Sequence, residues 1–280
     1  MESRPSIPAE RADIDRGEGS FRFAGPGTPA DGPLRVLYSA PSGSLEDVPI
    51  LIVLHGAQRD PGAYRDDWQD LLDGHDVLVL LPEFTDDDYD GSAGYNLGNM
   101  VDRDGDERPR DEWAFNVIEP LFDYVVDSIG GSQDRYAIFG HSAGAQFVHR
   151  FMEFVPNVRA RIAVAANAGW YTVPDRRTRF PYGFRRSPAD PVDDLYQRPL
   201  LVLLGGDDVD PNDDSLQRDR NTDRQGTDRL TRGFNFFLRA RDEAGEDETF
   251  NWSLVVVPGA AHSHGDMAAA ALPYLFPELR

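Results

Sequence analysis

The sequence predicts an α/β protein built on a doubly wound, mostly parallel sheet. Short, continuously apolar segments at residues 50–54 and 200–204 are typical of strands that are buried on both faces. Segments with apolar residues at helical spacing separate such strands along the chain, which is the pattern of strand–helix–strand units. The chain has no internal repeat and no low-complexity linker. We therefore expect one domain over residues 34–280, preceded by an N-terminal arm over residues 1–33.

The first half of the chain contains one strand–helix–strand unit. The arm has a candidate strand at residues 21–23, and alternating polarity predicts a half-buried strand at 34–38. Asp60 followed by Pro61 is a helix-start signal, since Asp caps the free amides and Pro fits the first helical position. The unit is predicted as strand 50–54, a helix from Asp60 to about Leu72, and strand 77–81.

The second half continues the alternation after an acidic loop at residues 85–110, which is expected to be solvated. Apolar residues at helical spacing predict a helix over 111–129, with a kink at Pro120. The later predicted strands are 136–139, 162–166, 200–204 and 252–257, and the later predicted helices are 143–154, 226–241 and 266–276.

Composition narrows the classes of function. The 280 residues include 49 acidic and 28 basic ones, giving a formal net charge of −21 at pH 7, and every basic residue is arginine. Such a surface repels nucleic acid and anionic lipid, so we expect neither nucleic acid nor a membrane as a partner. Cysteine is absent, which excludes disulfides and thiolate nucleophiles. The N-terminus lacks an apolar signal segment, so we expect a cytoplasmic protein, or a secreted one if a signal peptide has been removed.

A candidate nucleophile lies between a buried strand and an amphipathic helix. The segment from Gly140 to Gly144 reads Gly-His-Ser-Ala-Gly, and a sharp turn there would expose the hydroxyl of Ser142 at the carboxyl edge of the sheet. The two glycines allow the strand and the helix to approach without side-chain clashes. The motif, flanked by these two elements, predicts a serine nucleophile.

A serine nucleophile needs a base and a carboxylate that orients the base. The expected chain order is serine, acid, histidine. His262 follows the last predicted strand and is the first choice for the base, with His264 as the alternative. Asp208 follows strand 200–204 and is the first choice for the acid, with Asp207 as the alternative.

An oxyanion that develops during acyl transfer needs two backbone donors. The amide of Ala143 directly follows the nucleophile. The amide of Ala57, in the His-Gly-Ala-Gln segment after strand 50–54, is the expected second donor. Gln58 is a less favoured donor and an expected substrate-binding residue.

Together these residues resemble the α/β-hydrolase superfamily over about residues 34–276. The segment 54–60, the spacing of Tyr64 and Trp68, and the Gly-His-Ser-Ala-Gly motif are more narrowly similar to poly(3-hydroxybutyrate) depolymerase-like and feruloyl-type esterases. The resemblance implies that residues 34–280 are the catalytic domain of a serine carboxylic-ester hydrolase with no metal and no organic cofactor. It leaves open small or polymeric esters, as well as amide cleavage or acyl transfer by the same residues. A non-catalytic binding protein is the remaining alternative, and the oligomeric state is not defined.

Residues 170–198 interrupt the alternation with aromatic residues, prolines and arginines. A segment inserted between two core strands is expected to cover the mouth of the pocket as a small cap. Trp170 and Tyr171 leave a strand end, so we expect them to bind substrate. The alternative is that they pack in the core of the cap itself.

Overall fold

A computed structural model describes residues 11–29, 32–246 and 248–279. Eight strands form one sheet in the order β1-β2-β4-β3-β5-β6-β7-β8. The strands are β1 Gly17–Phe23, β2 Leu34–Ala40, β3 Ile50–Leu54, β4 Leu78–Pro82, β5 Tyr136–His141, β6 Ala160–Ala166, β7 Leu200–Gly205 and β8 Ser253–Val257. Strands β3 to β8 are parallel, whereas β1 and β2 are antiparallel to their neighbours. The predicted doubly wound, mostly parallel α/β sheet is confirmed.

Helices cover both faces of the sheet. They are α1 Pro61–Leu71, α2 Gly91–Gly94, α3 Ile118–Ile129, α4 Ala143–Phe154, α5 Arg229–Ala244 and α6 His264–Leu275. Helices α1 and α6 pack on one face, and α3, α4 and α5 pack on the other, so two apolar cores lie on opposite sides of the strands. Every residue of β3, β4, β5 and β7 is buried, which explains why these strands are apolar apart from His141 at the end of β5. Within the described ranges, no helix has the length and apolar character needed to span a bilayer.

Part of the predicted N-terminal arm belongs to the sheet. Residues 17–23 form β1, which pairs with β2 along its whole length. The strand is longer than the candidate at 21–23. Gly17 and Gly19 have no side chain, so the first part of the strand lacks the alternation of apolar and polar residues that indicates a strand. Gly19 is required by packing, since a Cβ there would lie 2.2 Å from the hydroxyl oxygen of Tyr38. The arm assigned to residues 1–33 therefore contributes an edge strand.

The helix predicted over residues 111–129 is shorter, and the predicted kink is absent. Two 3-10 turns at Arg110–Glu112 and Ala114–Val117 precede α3, which begins at Ile118. Pro120 is thus the third residue of α3. Amides in the first turn have no partner within their helix, so a proline there breaks no hydrogen bond.

Candidate active site

The candidate nucleophile lies at the carboxyl edge of the parallel strands. Strand β5 ends at His141, α4 begins at Ala143, and Ser142 between them has φ 56° and ψ −113°. This conformation is unfavourable for a residue with a side chain, and such strain is typical of functional sites. A Cβ on Gly140 would lie 2.3 Å from the carbonyl oxygen of Gly144, and a Cβ on Gly144 would lie 2.1 Å from that of Leu54. Only glycines permit this close crossing of strand and helix.

Ser142, His262 and Asp208 come together although 120 residues separate the first two. His262 Nε2 lies 3.1 Å from Ser142 Oγ, and His262 Nδ1 lies 2.7 Å from Asp208 Oδ2. A proton on Nδ1 is donated to the carboxylate, so the lone pair of Nε2 faces the serine hydroxyl. This tautomer is the one that can accept the serine proton.

The two alternatives from the sequence lie beside the site in other roles. Asp207 is exposed, and its amide donates to the carbonyl of Ala260. His264 Nδ1 bonds to the carboxylate of Asp67, and its ring stacks on Tyr64 with 4.3 Å between ring centroids. Neither alternative bonds to a residue of the Ser142 network in the described part of the chain.

His141 packs against the imidazole of His262. The two ring centroids are 4.6 Å apart, and the Nδ1 atom of His141 lies 2.9 Å from the hydroxyl oxygen of Tyr64. Burial, followed by the nearby histidines and Arg229, lowers the pKa of His141 well below its usual value. His141 therefore stays neutral and does not repel a positive charge that forms on His262.

The two predicted oxyanion donors lie on either side of the nucleophile. The amide of Ala143 is at the N-terminus of α4, where amides have no helical partner. Ala57 follows β3, and a turn from Gly56 to Arg59 presents its amide. Across residues 11–29, 32–246 and 248–279, neither amide donates to another group, so both are free to bind a developing negative charge.

His55 holds the loop that carries Ala57. Its Nδ1 donates to the carbonyl of Gly56 at 3.0 Å, and its Nε2 accepts the amide of Phe84 at 3.1 Å. Burial lowers the pKa of His55 to about 4, so the ring is neutral at pH 7 and its tautomer is fixed by these two partners. The hydroxyl of Tyr95 donates to the His55 carbonyl at 2.8 Å. The position of His55 in the His-Gly-Ala-Gln segment carries no sequence signal for this anchoring.

A cavity of about 150 Å³ opens above Ser142. It is lined by residues that include Ala57, Gln58, Tyr64, Ser215 and His264. Gln58, which the sequence predicts as a substrate-binding residue, is among these lining residues. Ser215 belongs to the loop after β7 and had no sequence signal, because a serine in an acidic loop is indistinguishable from a solvated one.

Trp170 and Tyr171 do not line this cavity, which corrects their assignment to substrate binding. Tyr171 is fully buried and stacks on Phe236 with 4.3 Å between ring centroids. Trp170 is 3% exposed and lies under the guanidinium of Arg150 at 4.2 Å. Both side chains are therefore buried against α4 and α5 and not in a separate core of the segment 170–198, although Trp170 also contacts Tyr182 of that segment.

Part of the segment 170–198 packs against the C-terminal end of α4. Phe180 and Phe184 pack edge-on against Phe154, at the C-terminal end of α4, and the amide of Val192 donates to the carbonyl of Glu153. None of its residues lines the cavity above Ser142. The segment therefore buttresses the far end of α4, and the predicted cap over the pocket is not observed.

No group of three or more histidine, aspartate or glutamate side chains in the described ranges is arranged to hold a metal ion.

The acidic loop 85–110 contributes no residue to the cavity above Ser142. Tyr95 of this loop is buried, and its hydroxyl donates to the main-chain carbonyl of His55.

The chain was compared with protein-family models, curated proteins and solved structures. Neither a protein-family model nor a curated protein matches the chain. Among solved structures, poly(aspartic acid) hydrolase-1 from Sphingomonas sp. KT-1 is 42% identical, with a TM-score of 0.88 over 94% of this chain and 100% of that one. The poly(3-hydroxybutyrate) depolymerase LpqC from Bordetella parapertussis is 29% identical, with a TM-score of 0.85 over 94% of this chain and 91% of that one. The S-formylglutathione hydrolase from Agrobacterium tumefaciens, 15% identical with a TM-score of 0.57 over 98% and 99% of the two chains, shares the fold.

The chain is an α/β-hydrolase, as its motifs predict, and therefore an enzyme of the hydrolase class. Within that superfamily it belongs to the same family as poly(aspartic acid) hydrolase-1, which it matches over the whole of that protein's length.

Proposed function

We propose that the protein is a serine hydrolase that cleaves carboxylic esters through an acyl-enzyme intermediate. The observation that carries the proposal is the continuous hydrogen-bonded series from Ser142 through His262 to Asp208, with contacts of 3.1 and 2.7 Å. The strained backbone of Ser142 and the two free amides beside it support the same chemistry.

The reaction follows from these positions. His262 Nε2 takes the proton of the Ser142 hydroxyl as the oxygen attacks the carbonyl carbon of the ester. The amides of Ala57 and Ala143 stabilise the oxyanion, and His262 returns the proton to the departing alcohol. Asp208 keeps the ring oriented and stabilises its positive charge. Water, deprotonated by His262, then attacks the acyl-enzyme and releases the acid and the free Ser142 hydroxyl.

The cavity supports a short or polar acyl group. Its volume of about 150 Å³ is small beside the roughly 300 to 1,000 Å³ of typical ligand pockets. Gln58, Ser215 and His264 present hydrogen-bonding groups to it. A long aliphatic acyl chain would leave these groups unpaired, and we expect the enzyme to discriminate against it.

A second candidate is hydrolysis of amide bonds in poly(aspartic acid). It is favoured by the 42% identity to a protein described as poly(aspartic acid) hydrolase-1, since the units of that polymer are joined by amides. The same three residues serve an amide as well as an ester, because His262 can protonate an amine leaving group.

The test is hydrolysis of p-nitrophenyl acetate, butyrate and octanoate, of 3-hydroxybutyrate oligomers and of poly(aspartic acid), by the wild type and by Ser142→Ala. We expect Ser142→Ala to lower kcat by about 10⁴-fold or more on every substrate that is cleaved. A fluorophosphonate should label the wild type once and the variant not at all. Retention of most of the activity by folded Ser142→Ala would refute the proposal, and faster turnover of the polyamide than of any ester would favour the second candidate.

A further inference from the structure

Arg229 contacts the carboxylate that orients His262. It is the first residue of α5, and its side chain is 1% exposed. Its Nη1 lies 3.2 Å from Asp208 Oδ1, and its Nη2 lies 3.2 Å from Asp213 Oδ1 and 2.7 Å from Ser215 Oγ. One guanidinium therefore joins the carboxylate behind His262 to a residue that lines the cavity above Ser142.

The position of Arg229 is unfavourable for a cation in every respect except these contacts. Burial removes the guanidinium from water, and the N-terminus of a helix carries partial positive charge. The carboxylates of Asp208 and Asp213 offset both effects. A side chain placed there only to fill the core would be apolar, so the charge and the forked shape of arginine indicate a specific role.

The two oxygens of Asp208 have separate partners. Oδ2 accepts from His262, whereas Oδ1 accepts from Arg229, so the carboxylate is held at two points and cannot rotate about its own axis. The main chain is held by the same helix end, because the amide of Leu230 donates to the Asp208 carbonyl at 3.2 Å. Loss of the guanidinium would free the carboxylate to turn and would leave Oδ1 buried without a partner.

Arg229 also fixes the wall of the cavity. The hydroxyl of Ser215 accepts from Arg229 and donates to Asp213 at 2.5 Å, so its direction is set by both groups. The hydroxyl of Ser215 accordingly ties its part of the loop after β7 to Arg229, whose other guanidinium nitrogen bonds to Asp208.

We propose that Arg229 is a positioning residue for hydrolysis: it locks the Asp208 carboxylate toward His262 and holds Ser215 in the cavity wall by the same side chain. The inference rests on the proposed function, in which Asp208 and His262 act on Ser142. It predicts a defect in turnover, with little effect on the affinity for a substrate too small to reach Ser215.

The chain offers a matched control in Arg232. That side chain is fully buried one turn along the same helix, but its guanidinium bonds to the carbonyls of Gly226 and Gly169 and does not contact Asp208. A loss of buried arginine packing should destabilise both variants, whereas only the Arg229 variant should lose turnover.

The experiment measures kcat and KM on p-nitrophenyl acetate, together with thermal unfolding, for Arg229→Gln, Arg229→Lys, Arg229→Ala and Arg232→Gln. We expect Arg229→Gln to lower kcat by about 10- to 100-fold, with KM changed by less than about threefold. Arg229→Lys keeps the charge but reaches only one partner. Its kcat should therefore lie between that of the wild type and that of Arg229→Gln. Millimolar guanidinium should restore part of the kcat of Arg229→Ala, and it should not affect Arg232→Gln.

A double-mutant cycle with Asp208→Asn gives an independent readout. If Arg229 acts through Asp208, adding Arg229→Gln to Asp208→Asn should lower kcat by less than about threefold further. Wild-type kcat in Arg229→Lys, an equal loss of kcat in Arg232→Gln, or fully multiplicative losses in the cycle would each overturn the inference. These outcomes are distinct from failure of the proposed function, which is reported by activity that survives Ser142→Ala.

Discussion

Addition of a single methyl group at Gly144 should lower turnover by displacing the backbone where α4 crosses β3, without removing any of the side chains that we propose to react. Gly144 is the second residue of α4 and crosses the end of β3. A Cβ there would lie 2.1 Å from the carbonyl oxygen of Leu54 and 2.8 Å from that of His55. Both neighbours are backbone atoms, so neither can swing aside as a flexible side chain would.

The required displacement follows from the contact distance. Real Cβ atoms are not found within 3.0 Å of such neighbours, so the helix and the strand end must separate by about 0.9 Å. The strand end leads directly to Ala57, and the helix begins with Ala143. The amides of Ala57 and Ala143, which we propose as oxyanion donors, lie on opposite sides of the crossing and are therefore moved apart.

The separation should cost turnover more than stability. A hydrogen bond of about 2.9 Å that is lengthened by that amount is lost. Loss of one oxyanion donor lowers kcat by about 10²- to 10³-fold, and we expect this for Gly144→Ala. Overpacking costs about 1 to 3 kcal/mol of unfolding free energy, and the higher helix propensity of alanine returns about 1 kcal/mol, so the net destabilisation should be about 2 kcal/mol or less.

The assay compares kcat on p-nitrophenyl acetate and the midpoint of thermal unfolding for the wild type, Gly144→Ala and Gly32→Ala. Gly32 is the matched control, because a Cβ there meets no atom within 4 Å and its φ is not in the left-handed region. Gly32→Ala should behave as the wild type. A kcat of Gly144→Ala within about threefold of the wild type would refute the reasoning, since the crossing could then absorb the methyl group without moving the donors.

Two further predictions concern the acid, the base and the pH dependence of stability. Asp208→Asn and His262→Ala should each lower kcat by about 10⁴-fold, while Asp207→Asn and His264→Gln should stay within about tenfold of the wild type; steady-state kinetics on one ester decides, and the reverse ranking would reassign the acid or the base. Burial lowers the pKa of His55 from 6.5 to about 4, so the unfolded chain binds a proton that the folded chain does not between these values. The free energy of unfolding in urea should therefore fall as the pH falls from 6.5 to 4, by up to about 3 kcal/mol from this group, and His55→Gln should flatten that slope.

The sheet and the sharp turn at Ser142 could be predicted from sequence because both depend on local patterns of residues. A strand buried on both faces is expected to be continuously apolar, and β3 and β7 are. The Gly-His-Ser-Ala-Gly turn is equally local, since the close contacts of its glycines are made with elements adjacent in the sheet. Once Ser142 is placed, the carboxyl ends of the later strands restrict the acid and the base to a few positions.

Features that depend on distant packing could not be predicted. Trp170 and Tyr171 leave a strand end beside the site, but whether they turn toward it or toward α5 is decided by partners such as Phe236, which is 65 positions along the chain from Tyr171. Arg229 had no signal at all. It is one of 28 arginines, and only the fold brings it to Asp208, 21 residues away.

Several arginines of this protein have a structural role that the net charge of −21 does not indicate. Arg59, Arg150 and Arg232 each donate to main-chain carbonyls of segments remote in sequence, and all three are largely or fully buried. Arg59 ties the loop that contains Ala57 to residues 84–91. A guanidinium presents five donors in a rigid plane and can bind several carbonyls at once, whereas the ammonium of lysine is compact and more strongly hydrated. The acidic excess therefore describes the surface, while arginine, with Arg229 as the case nearest the reacting groups, cross-links the loops at the carboxyl edge where Ser142 lies.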